Sequence, residues 1–245
     1  MIYYVISCID KTKYEKYLKP SIESFVNIEN RLILMEGKGN IFQKYNHAID
    51  PLKKNLTKDD VVIFLHDDVT ILDKNFEEKI KLFFKYKSNI GVAGVIGTTQ
   101  FPEEGGWWHS DRRVYGRGKI LQSHPKKENY WMIDREGMFD NLVAVDGCML
   151  CFSYNFLKDY SFDEKTFKNF NFYDVDSCFE CLKSGFDVGI IDVSIQHESE
   201  GGLSPSWNLE RKLFLAKWKE IIEFPVNKGS FHKYNKMKEK NDIQM

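Results

Sequence analysis

Val61-Val62-Ile63-Phe64-Leu65-His66-Asp67-Asp68 is a run of five apolar residues that ends in an imidazole and two carboxylates. An unbroken apolar run of this length reads as a strand buried on both faces, as in a parallel sheet covered by helices. Working outward, residues 2–7, 31–35, 90–96, 142–146 and 188–191 read as further strands, and Gly147-Cys148-Met149-Leu150-Cys151-Phe152 as another. Between them, helices are expected over residues 20–26, 41–49, 75–84, 175–184 and 210–220. Pro20 suits a first helical position, Pro51 is expected to end its helix, and Gly185 reads as a C-cap. Strands alternating with helices give an α/β class, and the absence of a repeat or linker favours one domain.

The chain has 245 residues, 42% hydrophobic and 29% charged, with 35 Lys plus Arg against 36 Asp plus Glu. That balance excludes collagen-like, disulfide-scaffold and disordered classes. A formal net charge of −1 disfavours nucleic acid as a bulk electrostatic target. No apolar run is long enough to span a bilayer, and no basic residue precedes the first strand as in a signal peptide, so a cytoplasmic address is expected. Cys148-x-x-Cys151 and Cys178-x-x-Cys181 imitate halves of a zinc site. On a strand, however, a spacing of three sends two thiols to opposite faces, and the five cysteines are expected to be buried and reduced.

Residues 98–117 change character, with Gly105-Gly106-Trp107-Trp108-His109 at their centre. A long irregular segment in a compact domain is more often a lid or binding loop than filler. The lysine-rich end, residues 226–245, reads as a frayed tail that is solvated or meets an anionic membrane surface.

Four places carry titratable groups at element ends. His66-Asp67-Asp68 closes the most buried strand, where α/β sheets bind ligands. Clustered carboxylates there are costly unless a cation joins them, and oxygen ligation with one imidazole suits Mg²⁺ or Mn²⁺. Alternatively, Asp67 or Asp68 could cap the next helix. Asp146-Gly147 ends another apolar run, Tyr173-Asp174-Val175-Asp176 opens a helix, and His197 precedes the turn Glu200-Gly201-Gly202.

In this order, these motifs resemble the family 2-like nucleotide-sugar glycosyltransferases from Ile2 to about Trp218. Gln43-Lys44-Tyr45-Asn46-His47-Ala48 and the Lys217-Trp218 helix add to the likeness. The resemblance implies a single GT-A (Rossmann-like) domain over residues 1–225, with a mostly parallel central sheet flanked by helices. It implies an inverting enzyme with Mn²⁺ or Mg²⁺ as cofactor and a nucleoside-diphosphate sugar as donor. The acceptor would be a hydroxyl on a glycan or lipid-linked glycan. Asp68 aligns with the Asp-x-Asp metal ligand, His197 with the histidine that completes the metal site, and His66 or Asp67 would touch metal or donor. Asp174 falls on the general base, with Asp176 as its alternate, while Tyr173 replaces the usual Glu. Ser7, Cys8, Glu36, Lys44, Asn46 and Asp146 are candidates for holding the nucleotide-sugar, and Trp107 and Trp108 for the acceptor. Two other readings remain: a non-catalytic nucleotide- or sugar-binding protein, and a nucleotidyltransferase. The latter is weakened because the stretch after Ser7 lacks a glycine-rich phosphate loop.

Overall fold

The computed structural model describes residues 1–26, 31–37, 39–124, 127–199, 203–219 and 222–242. The chain opens with β1 (Ile2–Cys8), α1 (Lys11–Lys13), a π-helical turn (Tyr14–Leu18), α2 (Lys19–Phe25), β2 (Leu32–Glu36) and α3 (Ile41–Lys53). There follow β3 (Val61–His66), β4 (Val69–Ile71), α4 (Phe76–Tyr86), β5 (Ile90–Gly94), β6 (Ile96–Thr98) and β7 (Gln100–Phe101). The middle holds β8 (Gly116–His124), β9 (Lys127–Arg135), β10 (Phe139–Leu142), β11 (Ala144–Val145), β12 (Met149–Ser153) and α5 (Tyr154–Leu157). Last come α6 (Tyr173–Lys183), β13 (Asp187–Ile190), β14 (Ile195–Glu198), α7 (Trp207–Lys219), β15 (Val226–Asn227) and α8 (Lys228–Asp242).

A seven-stranded sheet in the order β10-β13-β5-β12-β3-β1-β2 forms the centre. β1 is parallel to β2 and β3, and β13 is parallel to β5. β12 runs antiparallel between β3 and β5, and β10 is antiparallel to β13. The sheet is therefore mixed, not purely parallel, with β12 and β10 reversed: burial on both faces makes β12 apolar from Met149 to Phe152, and such a run carries no sign of its direction. A second sheet, β11-β6-β8-β14-β4, has β9 paired to β8. Consecutive strands change sheet at tight turns, β3 to β4 across Asp67-Asp68 and β11 to β12 across Asp146-Gly147-Cys148.

Several local expectations change. Helical structure begins at Lys11, where the Asp10 carboxylate accepts the N–H groups of Thr12 (2.8 Å) and Lys13 (3.3 Å). Pro51 lies inside α3, in its last turn, where it forfeits one backbone hydrogen bond without stopping the helix. The β8–β9 hairpin occupies residues that gave no clear period. All five cysteines are free and buried. The tail is not frayed over its described residues: β15 pairs with β7, and α8 buries Phe231 against Phe179 and Trp218. Asn235 donates to the Leu182 carbonyl at 3.1 Å, while Lys233, Lys236, Lys238 and Lys240 face solvent. No helix among the described residues is long and apolar enough to cross a membrane. Residues 200–202, the glycine turn expected after His197, lie outside the described residues.

Glu210 on α7 was not singled out by the sequence and is fully buried. Its carboxylate accepts the backbone N–H groups of Lys168 (3.2 Å), Asn169 (2.8 Å) and Asn171 (3.0 Å), and the Asn171 side-chain amide (2.8 Å). It therefore fastens the loop before α6 to α7. Glu210→Ala leaves those donors unpaired and is expected to cost about 3 kcal/mol or more, read as a lower urea midpoint. A change within experimental error would contradict this anchoring role.

Candidate active site

The turn from β3 to β4 places three side chains differently. Asp67 is turned inward: its Oδ2 accepts the N–H groups of Ile9 (2.6 Å) and Asp10 (2.7 Å), tying the end of β1 to the turn. Asp68 points the other way, with Oδ2 3.0 Å from the Lys13 ammonium. The β14–β4 ladder sets His197 opposite Val69, which brings His197 Nε2 to 3.4 Å from Asp68 Oδ1. Asp68 Oδ1 is nevertheless buried without a hydrogen bond among the described residues. Donor atoms of His66, Asp68 and His197 all lie within 4.8 Å of one another. Burial opposes charge on Asp68, yet His197, His66 and Lys13 outweigh it and hold its carboxyl well below the usual range. Burial likewise opposes charge on His197, and Asp68 overcomes it and raises its pKa, whereas burial keeps the His66 pKa low.

Gly147 and the start of α6 form the adjacent wall. Asp174 Oδ2 accepts the Gly147 N–H at 3.0 Å, and Oδ1 accepts the Val175 N–H at 2.8 Å. Burial, then the nearby Asp146, pushes the Asp174 pKa up to about 7. The Tyr173 hydroxyl donates to the Gly147 carbonyl at 2.8 Å and lies 2.5 Å from His66 Nε2. A Cβ on Gly147 would sit 2.2 Å from that hydroxyl oxygen, so only glycine fits. Phe172 enters α6 in the left-handed region (φ 67°), stacked on Phe214 with ring centroids 5.0 Å apart. This conformation is costly for a residue with a Cβ, and such strain collects at functional sites.

These groups line one cavity of about 690 Å³. His66, Asp68, His197, Asp146 and Asp174 stand on its walls, together with Trp107, Trp108 and Trp207. The two adjacent tryptophans divide in role. Trp107 is 3% exposed and donates its indole N–H to Asp146 at 3.1 Å, whereas Trp108 is 37% exposed. Arg112, Tyr130, Met132 and Leu203 complete the outer rim, none of them foreseen from sequence. Tyr130 and Met132 alternate on β9, a period-two signal that the neighbouring Trp131 masks.

Other sequence candidates lie outside this cavity. Ser7, Cys8 and Glu36 gather at the ends of β1 and β2, on the opposite side of β3 from Asp146. Ser7 is paired in register with His66, and its buried hydroxyl has no partner among the described residues. Glu36 is bridged to Lys11 at 2.9 Å, and the Lys44 ammonium donates to the Gly37 carbonyl. Asn46 is bonded to the backbone of a distant segment. Its side-chain amide donates to the Phe162 carbonyl (2.9 Å) and its side-chain oxygen accepts the Phe162 N–H (2.8 Å). Asp176 is 1% exposed and bonded to the Lys217 ammonium (2.9 Å) and the Trp218 indole N–H (2.8 Å).

Residues 4–218 match a family described as a glycosyltransferase-like family. The chain belongs to that family. Among solved structures, it is similar to GalNAc-T7 with UDP, GalNAc and Mn²⁺ at 11% identity and a TM-score of 0.54, covering 99% of this chain and 55% of that one. It is also similar to S. aureus TarS 1–349 at 10% identity and a TM-score of 0.53, covering 96% and 69% respectively. The chain thus spans little more than half of GalNAc-T7. At such identities the likeness establishes the fold, and the glycosyltransferase-like chain has the GT-A architecture. No curated protein matches it.

The Asp176 bonds make that residue an anchor for α7 in this family member. Asp176→Ala strands the Trp218 donor and weakens the Lys217 cluster, at an expected cost of about 3 kcal/mol. Chemical denaturation measures this, and transfer per folded molecule should persist. Full stability with lost transfer would instead make Asp176 the base.

Proposed function

We propose that this glycosyltransferase-like protein is an inverting, metal-dependent transferase. It would move a sugar from a nucleoside-diphosphate sugar to a hydroxyl on a glycan or lipid-linked acceptor. The observation that carries this reading is the shared cavity, in which a candidate metal cluster and an aspartate of raised pKa face the same space.

His66, Asp68 and His197 would hold the cation. Asp68 Oδ1, buried without a hydrogen bond among the described residues and 3.4 Å from His197 Nε2, supports that fit, since a cation can share the carboxylate and a neutral imidazole. Two imidazoles and one carboxylate suit Mn²⁺ better than Mg²⁺, which prefers oxygen. When bound, the cation would offset negative charge on the donor's diphosphate and on the departing nucleoside diphosphate. Ser7, Cys8, Glu36 and Lys44 are proposed to border the nucleotide at the ends of β1 and β2.

Asp174 is the proposed general base. Its two accepted N–H bonds fix the carboxylate and leave lone pairs for the proton of an incoming hydroxyl. A base facing the anomeric carbon opposite the leaving group gives in-line displacement with inversion. Asp146, steadied by Trp107 and by the Cys148 N–H at 2.9 Å, is placed to orient the sugar. Trp108 offers a flat exposed face to the acceptor.

Titration calorimetry with UDP and with GDP, each with and without Mn²⁺, tests the donor site. Metal-dependent binding of one nucleotide is expected, and Asp174→Asn should retain it while losing transfer. Wild-type transfer should rise about tenfold per pH unit below the Asp174 pKa of about 7 and level off above it, because only the ionised carboxylate accepts a proton. Full turnover by Asp174→Asn, or no nucleotide binding by folded protein, overturns the reading.

Trp108→Ala should raise the acceptor KM about 3- to 10-fold, the loss of one stacked face, and leave the donor KM unchanged. Steady-state kinetics with each substrate varied measures both, and an unchanged acceptor KM removes Trp108 from acceptor binding.

A further inference from the structure

We infer that Tyr173 is a positioning residue for the metal cluster: its hydroxyl fixes the ring and the tautomer of His66, so that Nδ1 is the nitrogen offered to a divalent cation. The inference rests on the metal-dependent reading above and adds to it a residue standing where the family resemblance expects an acid.

The chemistry follows from counting protons. The Tyr173 hydroxyl has one hydrogen and two neighbours, the Gly147 carbonyl oxygen at 2.8 Å and His66 Nε2 at 2.5 Å. A carbonyl oxygen only accepts, so the hydroxyl proton goes to Gly147. The phenol oxygen is then an acceptor toward His66, and Nε2 must carry the imidazole hydrogen. A neutral imidazole has one N–H, so Nδ1 keeps its lone pair. A metal-binding imidazole is this neutral form.

The phenol itself has little freedom. Tyr173 is 3% exposed, with its ring edge-on to Tyr45 (5.7 Å) and Phe42 (6.4 Å) and against Phe170 (5.8 Å). The same Gly147 peptide is held at its carbonyl by Tyr173 and at its N–H by Asp174. One peptide therefore connects the proposed base with the proposed metal ligand. A carboxylate at position 173 could not donate to the carbonyl of Gly147 while ionised, whereas a phenol donates and accepts at once. Groups that orient a metal-bound histidine commonly contribute about 10- to 100-fold in metal affinity.

Tyr173→Phe removes only the hydroxyl and keeps the ring packing. Long-range ¹H–¹⁵N NMR of metal-free protein should report His66 as the Nε2–H tautomer in the wild type and as a mixture in Tyr173→Phe. Mn²⁺ titration followed by electron paramagnetic resonance, without nucleotide, should show about 10- to 100-fold weaker binding by Tyr173→Phe. A wild-type Nδ1–H tautomer, or unchanged Mn²⁺ affinity in Tyr173→Phe, overturns the inference. His197→Ala separates this from the parent reading. Weakened Mn²⁺ binding by His197→Ala beside unchanged binding by Tyr173→Phe sinks only the role of Tyr173. Wild-type protein that binds no Mn²⁺ sinks both.

Discussion

The site depends on the chain leaving one sheet for the other at His66-Asp67-Asp68. β3 belongs to the large sheet and β4 to the second, and two residues make the change. Three segments pin that turn. The N–H groups of Ile9 and Asp10 bind Asp67, the Cys148 carbonyl accepts the His66 N–H (3.1 Å), and the Asp68 carbonyl accepts the Glu198 N–H (2.9 Å). Each contact fills a backbone or carboxylate valence that burial would otherwise leave costly. Together they force Asp68 toward His197 and His66 toward Tyr173. A second change of sheet, at Asp146-Gly147-Cys148, supplies the facing wall. The cavity is the gap left where strands diverge from one sheet into two.

Buried acids of this chain fall into two kinds, and their hydrogen bonds distinguish them. Glu210 receives four N–H donors, Asp67 receives two, and Asp176 has an ammonium and an indole. These carboxylates hold loops and helices together. Asp68 keeps one oxygen without a hydrogen bond among the described residues, and Asp174 bears a pKa raised to about 7 beside Asp146. Such arrangements are unfavourable for the isolated protein, and they persist because the turns around them are fixed by other bonds. Phe172, held with φ at 67° just before Asp174, is part of the same strain.

Sequence carried the strands well because double-sided burial writes an apolar run. It did not carry direction, so the antiparallel course of β12 within the sheet was not legible. The β8–β9 hairpin was silent because its residues face partly to solvent and their alternation is broken by Trp131. Docking of α8 rests largely on Phe231, too little for a pattern. For the candidate site, His66, Asp68, Asp174 and His197 stood out through their order along the chain, and the structure brings them into one cavity. For Asn46 and Asp176 the sequence leaves the surroundings open, because a polar residue near a motif looks alike whether it faces a ligand or a backbone. Only the bonds to Phe162, Lys217 and Trp218 tell them apart.

The two sides of the cavity are built by different means. The candidate metal cluster and the Gly147 wall come from sheet-switching turns and one helix start, which the fold itself dictates. The outer rim comes from the loop carrying Trp107 and Trp108, from the β8–β9 hairpin, and from the segment leading into α7. These pieces can change without disturbing the sheets, as loops generally can. GT-A structures at 10–11% identity therefore share the architecture while leaving the rim free to differ. Trp107 joins the two parts. Its buried ring belongs to the rim, and its indole N–H holds Asp146 on the inner wall. A change in the loop would thus reach the inner wall through this hydrogen bond, so the rim is not independent of the wall it faces.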